Sequence, residues 1–247
     1  MTDNKVAIGI VGCGNIAEAY LEQITNYDNV HLVGLTDIVS ERAQELAATY
    51  NCAVYPDLGT MVADEKIDLV VNLTIHHVHA EIIEQILQAG KHVYTEKPLA
   101  MNYKDAKRLV DLAEKMNLCL SSAPITYMGE AQQTAAQKIA SGILGKIRLV
   151  YAEINHDRIE TWHPNPIPFF DVGVLWDVGI YALTVCTALM GSVKRVTGYG
   201  KVIVPTRRTL GGESFKVTTP DFILALIEVK NGGLLRVTCD FYANDSE

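Results

Sequence analysis

No Cys-x-x-Cys pair, no run of lysine or arginine and no long unbroken apolar stretch occurs in this 247-residue sequence, and each absence removes a class of protein. Its five cysteines, Cys13, Cys52, Cys119, Cys186 and Cys239, are scattered. That spacing argues against a disulfide framework or a zinc site, and for reduced thiols in a cytoplasmic protein, most of them packed as core residues. The formal net charge is −8 with no basic tract, so no nucleic-acid partner is expected. Apolar stretches are broken by charge or glycine within about ten residues, too short to cross a bilayer. The polar start Met1–Lys5 leads directly into a strand pattern, so neither a membrane span nor a signal peptide is expected. Internal repeats, linkers and low-complexity tracts are also missing.

What is present is a globular composition, 49% hydrophobic and 20% charged, in a length that suits two domains of which the second is small or incomplete. From Val6 to about Ser121, short apolar runs alternate with segments of helical period, the mark of repeated βαβ units and a parallel sheet. The strands are expected at Val6–Val11, His31–Leu35, Leu69–Leu73, His92–Tyr94 and Leu118–Leu120. The helices are expected at Ile16–Thr25, Ser40–Tyr50 with Ser40 as N-cap, His79–Ala89 and Lys104–Met116. After Ser121 the rhythm changes to a helix (Glu130–Ser141), a strand (Ile147–Ile154), a proline-rich loop (Trp162–Phe170), a helix (Leu175–Met190) and three further strands. The fold class is therefore α/β, with residues 1–121 a doubly wound Rossmann domain and residues 122–247 an α+β domain on a largely antiparallel sheet.

The first strand runs straight into Gly12-Cys13-Gly14-Asn15-Ile16-Ala17 and then a helix, where a dinucleotide fingerprint must stand. Gly12 permits the tight turn, Gly14 lets a pyrophosphate approach the backbone, and Ala17 allows close helix–strand packing. The helix N-terminus at Asn15 and Ile16 adds N–H donors and positive dipole. Asp37, 23 residues past Gly14, closes the second strand where an acid accepts hydrogen bonds from ribose hydroxyls and repels a phosphate. NAD is favoured over NADP on that ground, with Arg42 the nearby cation able to reverse the preference; a solvated strand-end carboxylate is the plainer reading of Asp37. The next strand end, Asn72-Leu73-Thr74-Ile75-His76-His77-Val78-His79, delivers Thr74 and His79 to the ligand crevice. Its histidines lack the spacing and cysteine partners of a metal site, so no metal is expected.

Glu96-Lys97-Pro98 puts a cation at the rim of the crevice, although an adjacent pair of opposite charges is more often a surface feature. In the second half Asp177 and Tyr181 stand at i and i+4 on one helix face, where they can meet a substrate. An acid in a first turn is also a routine dipole partner, and a tyrosine there can simply fill the core.

Together, the Gly12–Ala17 turn, Glu96-Lys97-Pro98 and Asp177-x-Gly179-x-Tyr181 resemble the glucose–fructose oxidoreductase, inositol dehydrogenase and rhizopine-catabolism (Gfo/Idh/MocA) oxidoreductases along essentially the whole chain. The resemblance implies NAD(P)-dependent hydride transfer to or from a carbinol carbon of a sugar, cyclitol or diol. It makes Lys97 the catalytic lysine, Asp177 a substrate-orienting carboxylate and Tyr181 the acid–base group, and it puts Glu96 and Lys97 near the cofactor. Tyr181 is the tyrosine variant, similar to the glucose–fructose oxidoreductase and dihydrodiol dehydrogenase branches. Ile75 stands where the family has Pro, and His76 or His77 where an Asn is frequent. Family members continue for about a hundred further residues, a domain's worth, so the second domain is expected to be C-terminally shortened. Apolar strands at Asp221–Val229 and Leu234–Phe241, followed by the polar end Asn244–Glu247, leave an open edge and predict a homo-oligomer through that sheet. The rival reading is a catalytically silent dinucleotide-binding sensor or regulator.

Overall fold

The computed structural model describes residues 5–243; the polar start Met1–Lys5, except Lys5, and the polar end Asn244–Glu247 lie outside the described residues. The chain divides into two compact units, Met1–Ala123 and Pro124–Glu247.

The first unit is built from β1 (Val6–Val11), α1 (Ala17–Ile24), β2 (Val30–Thr36), α2 (Ser40–Tyr50), β3 (Ala53–Val54), α3 (Leu58–Ala63), β4 (Leu69–Asn72), α4 (His79–Gln88), β5 (His92–Thr95), α5 (Tyr103–Met116) and β6 (Leu120–Ser122). The six strands pair in parallel in the order β3-β2-β1-β4-β5-β6. The order reverses between β1 and β4, so the carboxyl ends of those two strands flank the crevice where ligands of such sheets bind. Alternate side chains feed opposite faces. Ile8, Ile10 and Val71 pack with Ala17, Leu21, Ala43 and Ala47 of α1 and α2. Val11, Val70 and Val93 pack instead with Met61, Ile83, Ile86, Leu87 and Leu109 of α3, α4 and α5. Both faces are covered, which is why these strands read as nearly continuous apolar runs.

Several elements depart locally from the sequence pattern. Ser40 is the first residue of α2 rather than its cap: the N-cap is Val39, whose N–H donates to Asp37 Oδ1 at 2.7 Å. The short β3 and α3 lie outside the strands and helices that the sequence rhythm marks; Asp57 caps α3 by accepting from Thr60 N–H. The last strand begins at Leu120, not Leu118. Asn117 turns left-handed (φ 55°), and the Leu118 N–H returns to Ala113 O at 2.9 Å, so Leu118 completes a Schellman closure of α5.

The second unit holds α6 (Glu130–Ala140), β7 (Leu149–Asp157), α7 (Ile167–Val172), a π-type turn Leu175–Gly179 running into α8 (Ile180–Met190), β8 (Val193–Lys201), β9 (Thr206–Arg208), β10 (Ser214–Lys216), β11 (Phe222–Val229) and β12 (Leu234–Ala243). Its main sheet runs β7-β12-β11-β8, with β7 and β12 parallel and the other pairs antiparallel. Cys186 and Met190 of α8 pack on Ala225, Ile227, Val229, Leu235 and Val237. The expected proline-rich loop contains α7, because Pro166 and Pro168 fall at the cap and first turn, where a missing N–H costs nothing. The expected helix Leu175–Met190 opens with i→i+5 bonding, which adds a residue to the turn holding Asp177 and leaves Tyr181 about one turn further on.

Candidate dinucleotide site and catalytic residues

At the carboxyl end of β1 the fingerprint takes the form its glycines require. Gly12 has φ +98°, and a Cβ there would stand 2.7 Å from the Leu73 carbonyl carbon and oxygen. The turn is held on both sides: Gly12 N–H donates to Thr36 O at 2.9 Å, and Leu73 N–H donates to Val11 O at 2.8 Å. A Cβ on Gly14 meets nothing within 4 Å, so its backbone faces open space that a pyrophosphate can approach. Asn15 and Ile16 are exposed, and Ile16 caps α1. Ala17 is fully buried against the sheet and begins α1, its N–H donating to Gly14 O at 3.0 Å. These residues fit a dinucleotide: the loop supplies N–H groups, a helix N-terminus and, at Gly14, backbone that no side chain covers.

Asp37 already has backbone partners. Its Oδ2 accepts from Cys13 N–H at 2.6 Å and its Oδ1 from Val39 N–H at 2.7 Å. A carboxylate has about four acceptor positions, so two stay available for ribose hydroxyls while the same group braces the fingerprint loop. Arg42 is exposed in the first turn of α2. Burial first, and the Asp37 carboxylate second, push the Cys13 thiol up to about 12, which keeps it a neutral packing group.

The lysine turn at the end of β5 is tied to its surroundings by side chains whose part the sequence did not disclose. Tyr20 on α1 donates its hydroxyl to Glu96 Oε1 at 2.5 Å, and Glu96 Oε2 accepts from Lys97 N–H at 3.0 Å. Burial and the Glu96 carboxylate raise the Tyr20 phenol well above its ordinary value, so it stays a donor. Asn72, fully buried, accepts from Thr74 N–H and Oγ1 through its Oδ1 and donates from Nδ2 to Thr95 Oγ1. Thr95 Oγ1 in turn donates to Glu96 O at 3.1 Å. A polar Asn closing an otherwise apolar strand was a visible cue to this network; Tyr20, 76 residues from Glu96, offered none. Half-buried Lys97, Glu96 and Thr74 thus stand at neighbouring strand ends.

His79 is not placed as a cofactor contact. It is 1% exposed, with Nδ1 2.7 Å from Pro98 O and Nε2 2.9 Å from Thr74 O, so neither ring nitrogen is left for a ligand. Among the described residues no group of three or more His, Cys, Asp or Glu is arranged to hold a metal.

In the second unit Asp177 and Tyr181 are half-buried, and the Asp177 N–H donates to Gly173 O at 3.1 Å. Nearby in the same unit is a buried ion cluster that no sequence pattern suggested. The Arg207 guanidinium donates to both Glu160 oxygens, at 2.8 and 3.0 Å, and to Asp221 Oδ2 at 2.6 Å, while stacking over Phe170. Asp221 is further satisfied by Ile203 and Val204 N–H groups.

Two family models match the chain. The oxidoreductase family with NAD-binding Rossmann fold (Gfo/Idh/MocA) covers residues 6–123, and the C-terminal domain of the same family covers residues 132–247. An uncharacterized oxidoreductase of Schizosaccharomyces pombe is 32% identical over 72% of this chain and 48% of its own length. The D-glucoside 3-dehydrogenase of Escherichia coli is 27% identical over 100% of this chain and 73% of its own length. The chain thus spans about half the length of the first relative. Among solved structures, the WlbA dehydrogenase of Bordetella pertussis, in complex with NADH and UDP-GlcNAcA, superposes with a TM-score of 0.86 at 22% identity, over 98% of this chain and 72% of that one. At that identity the likeness speaks for the fold. Among the described residues no helix is long and apolar enough to cross a membrane.

Proposed function

The chain belongs to the Gfo/Idh/MocA oxidoreductase family, and on that premise we propose that it is an NAD(P)-dependent dehydrogenase acting on a secondary hydroxyl of a sugar, cyclitol or diol. The observation that carries the reading is the Glu96-Lys97-Pro98 turn at the end of β5, fastened through Tyr20 to the helix that follows the fingerprint. When bound, the nicotinamide supplies hydride transfer, and the protein supplies binding, orientation and proton handling. Gly12, Gly14 and the start of α1 take the pyrophosphate, Asp37 the adenosine ribose, and Thr74 lies alongside.

Lys97 donates to the reacting hydroxyl and stabilises its developing negative charge, Asp177 orients the substrate, and Tyr181 removes the hydroxyl proton. A phenol is protonated near neutral pH, so proton removal by Tyr181 calls for a positive charge that favours the phenolate. The proposal includes a homo-oligomer through the second sheet. Its face away from α8 exposes Leu149, Tyr151, Tyr199, Leu226 and Leu234, interspersed with the Arg195–Glu228 and Arg236–Glu153 ion pairs. A cytoplasmic setting accords with five free cysteines.

The test is a panel of sugars, inositols and diols read at the reduced-nicotinamide absorbance. Turnover of at least one polyol is expected. Lys97→Met and Tyr181→Phe should each lower it by about 10²-fold or more while cofactor affinity holds. Tight cofactor binding with no polyol-dependent absorbance change would instead identify a silent dinucleotide-binding protein. Full activity in Tyr181→Phe would remove Tyr181 as the proton carrier.

A further inference from the structure

Gly179 lies between Asp177 and Tyr181 at the end of the π-type turn, and it is buried. A Cβ there would stand 3.0 Å from Leu175 Cδ1 and 3.1 Å from Cys239 Sγ, where non-bonded heavy atoms settle at about 3.5–4.0 Å. The two neighbours differ in what they can yield. Leu175 Cδ1 is the far end of a half-buried side chain and can rotate away. Cys239 is 0% exposed within β12, paired with Ile223 of β11 on one side and Ile154 of β7 on the other. Its sulfur hangs from a strand held along both edges, so under an added methyl the turn must move rather than the sheet.

The turn has little freedom to tilt in place of moving. Val174 and Val178 are buried in one cluster with Cys239 and Phe241, and the Asp177 N–H donates to Gly173 O at 3.1 Å. A Cβ on Gly173 would in turn run into Thr219 Cγ2. Asp177 is therefore bracketed by two glycines at which the backbone packs closer to its neighbour than a side chain allows.

We propose that Gly179 and Cys239 are positioning residues: the bare backbone of one, seated on the sulfur of the other, sets the height of the Asp177–Tyr181 segment above the sheet. Its bearing on turnover rests on the reading of Asp177 and Tyr181 as the substrate-orienting and proton-accepting groups; the seating itself does not. The test is a double-mutant cycle on the whole chain. Gly179→Ala adds one heavy atom where Cys239→Ala removes one, so the double variant restores the packed volume. Assayed well below its Tm, Gly179→Ala should lower kcat by about 3- to 10-fold, the part of a roughly 10²-fold loss per ångström that a few tenths of an ångström carry. Its Kd for NAD should stay within about twofold. The double variant should recover at least about half of the wild-type kcat. An unchanged kcat in Gly179→Ala, or a loss that persists in the double variant, would overturn the proposal. Should Gly179→Ala fail to fold, the double variant must fold, and failure of both overturns it as well. The crystal structure of Gly179→Ala should show Leu175–Gly179 moved away from Cys239, and that of the double variant should show it returned. If the wild type turns over no polyol, the functional reading fails and the seating is judged on that displacement: a turn that stays in place in Gly179→Ala ends it.

Discussion

Alanine at Gly12 and alanine at Gly14 are expected to fail in opposite ways. At Gly12 the backbone has φ +98°, and the added Cβ meets the Leu73 carbonyl at 2.7 Å and Thr74 N at 2.8 Å. Both neighbours are main chain and cannot turn aside. A non-glycine residue in that conformation costs about 1–3 kcal/mol, and forcing the contact adds about 1–3 kcal/mol of overpacking. The sum, about 2–6 kcal/mol, is a large part of the 5–15 kcal/mol or so by which a domain is stable. Gly12→Ala should therefore lower Tm by on the order of 10 °C with no cofactor present. At Gly14 nothing lies within 4 Å of the added Cβ. Gly14→Ala should keep its unliganded stability within about 0.5 kcal/mol yet bind NAD at least about 10-fold more weakly, because the methyl occupies the path of the pyrophosphate. Differential scanning calorimetry and a fluorescence titration with NAD measure the two effects. Wild-type NAD affinity in Gly14→Ala would show that the dinucleotide does not cross this loop, and a wild-type Tm in Gly12→Ala would refute the packing argument.

NAD should bind the wild-type protein more tightly than NADP, and Asp37→Ala should erode that preference by about 10-fold or more. Because Asp37 also holds Cys13 and Val39 N–H groups, the variant should lose some NAD affinity as well; tighter NADP binding by the wild type would void the role given to Asp37. Arg207→Met should destabilise by about 3–5 kcal/mol, since it leaves the Glu160 and Asp221 carboxylates buried without their cation, and an unshifted urea midpoint would contradict this. Iodoacetamide at pH 8 should label exposed Cys119 first. Cys13 is held up to about 12 and Cys239 to about 11, chiefly by burial, leaving roughly 10⁻⁴ and 10⁻³ of each as thiolate. The same shifts predict alkaline weakening. Above about pH 9 the unfolded thiols ionise while the folded ones keep their protons, so stability falls as pH rises towards the folded values, by up to about 1.4 kcal/mol per pH unit for each group. A stability flat from pH 9 to 11 would show these thiols to be better solvated than their burial implies.

What the sequence determined by itself is whatever a contiguous stretch can encode. The βαβ rhythm from Val6 onward is a period, and Gly12, Gly14 and Ala17 do their work on a single turn between a strand and the helix after it. Each can be recognised without knowing where the rest of the chain goes. Asn51 and Asn117 close α2 and α5 for the same local reason, tolerance of left-handed φ. The tertiary structure alone decided which distant partners polar groups meet. His79 became an internal fastener because Pro98, 19 residues on, returns beside it. Tyr20 reaches Glu96 across 76 positions, and Arg207 gathers Glu160 and Asp221 across 47 and 14. The physical reason is the same throughout: a buried polar group must find a partner, but its identity depends on which backbone comes within about 3 Å, a distance that only the assembled fold sets.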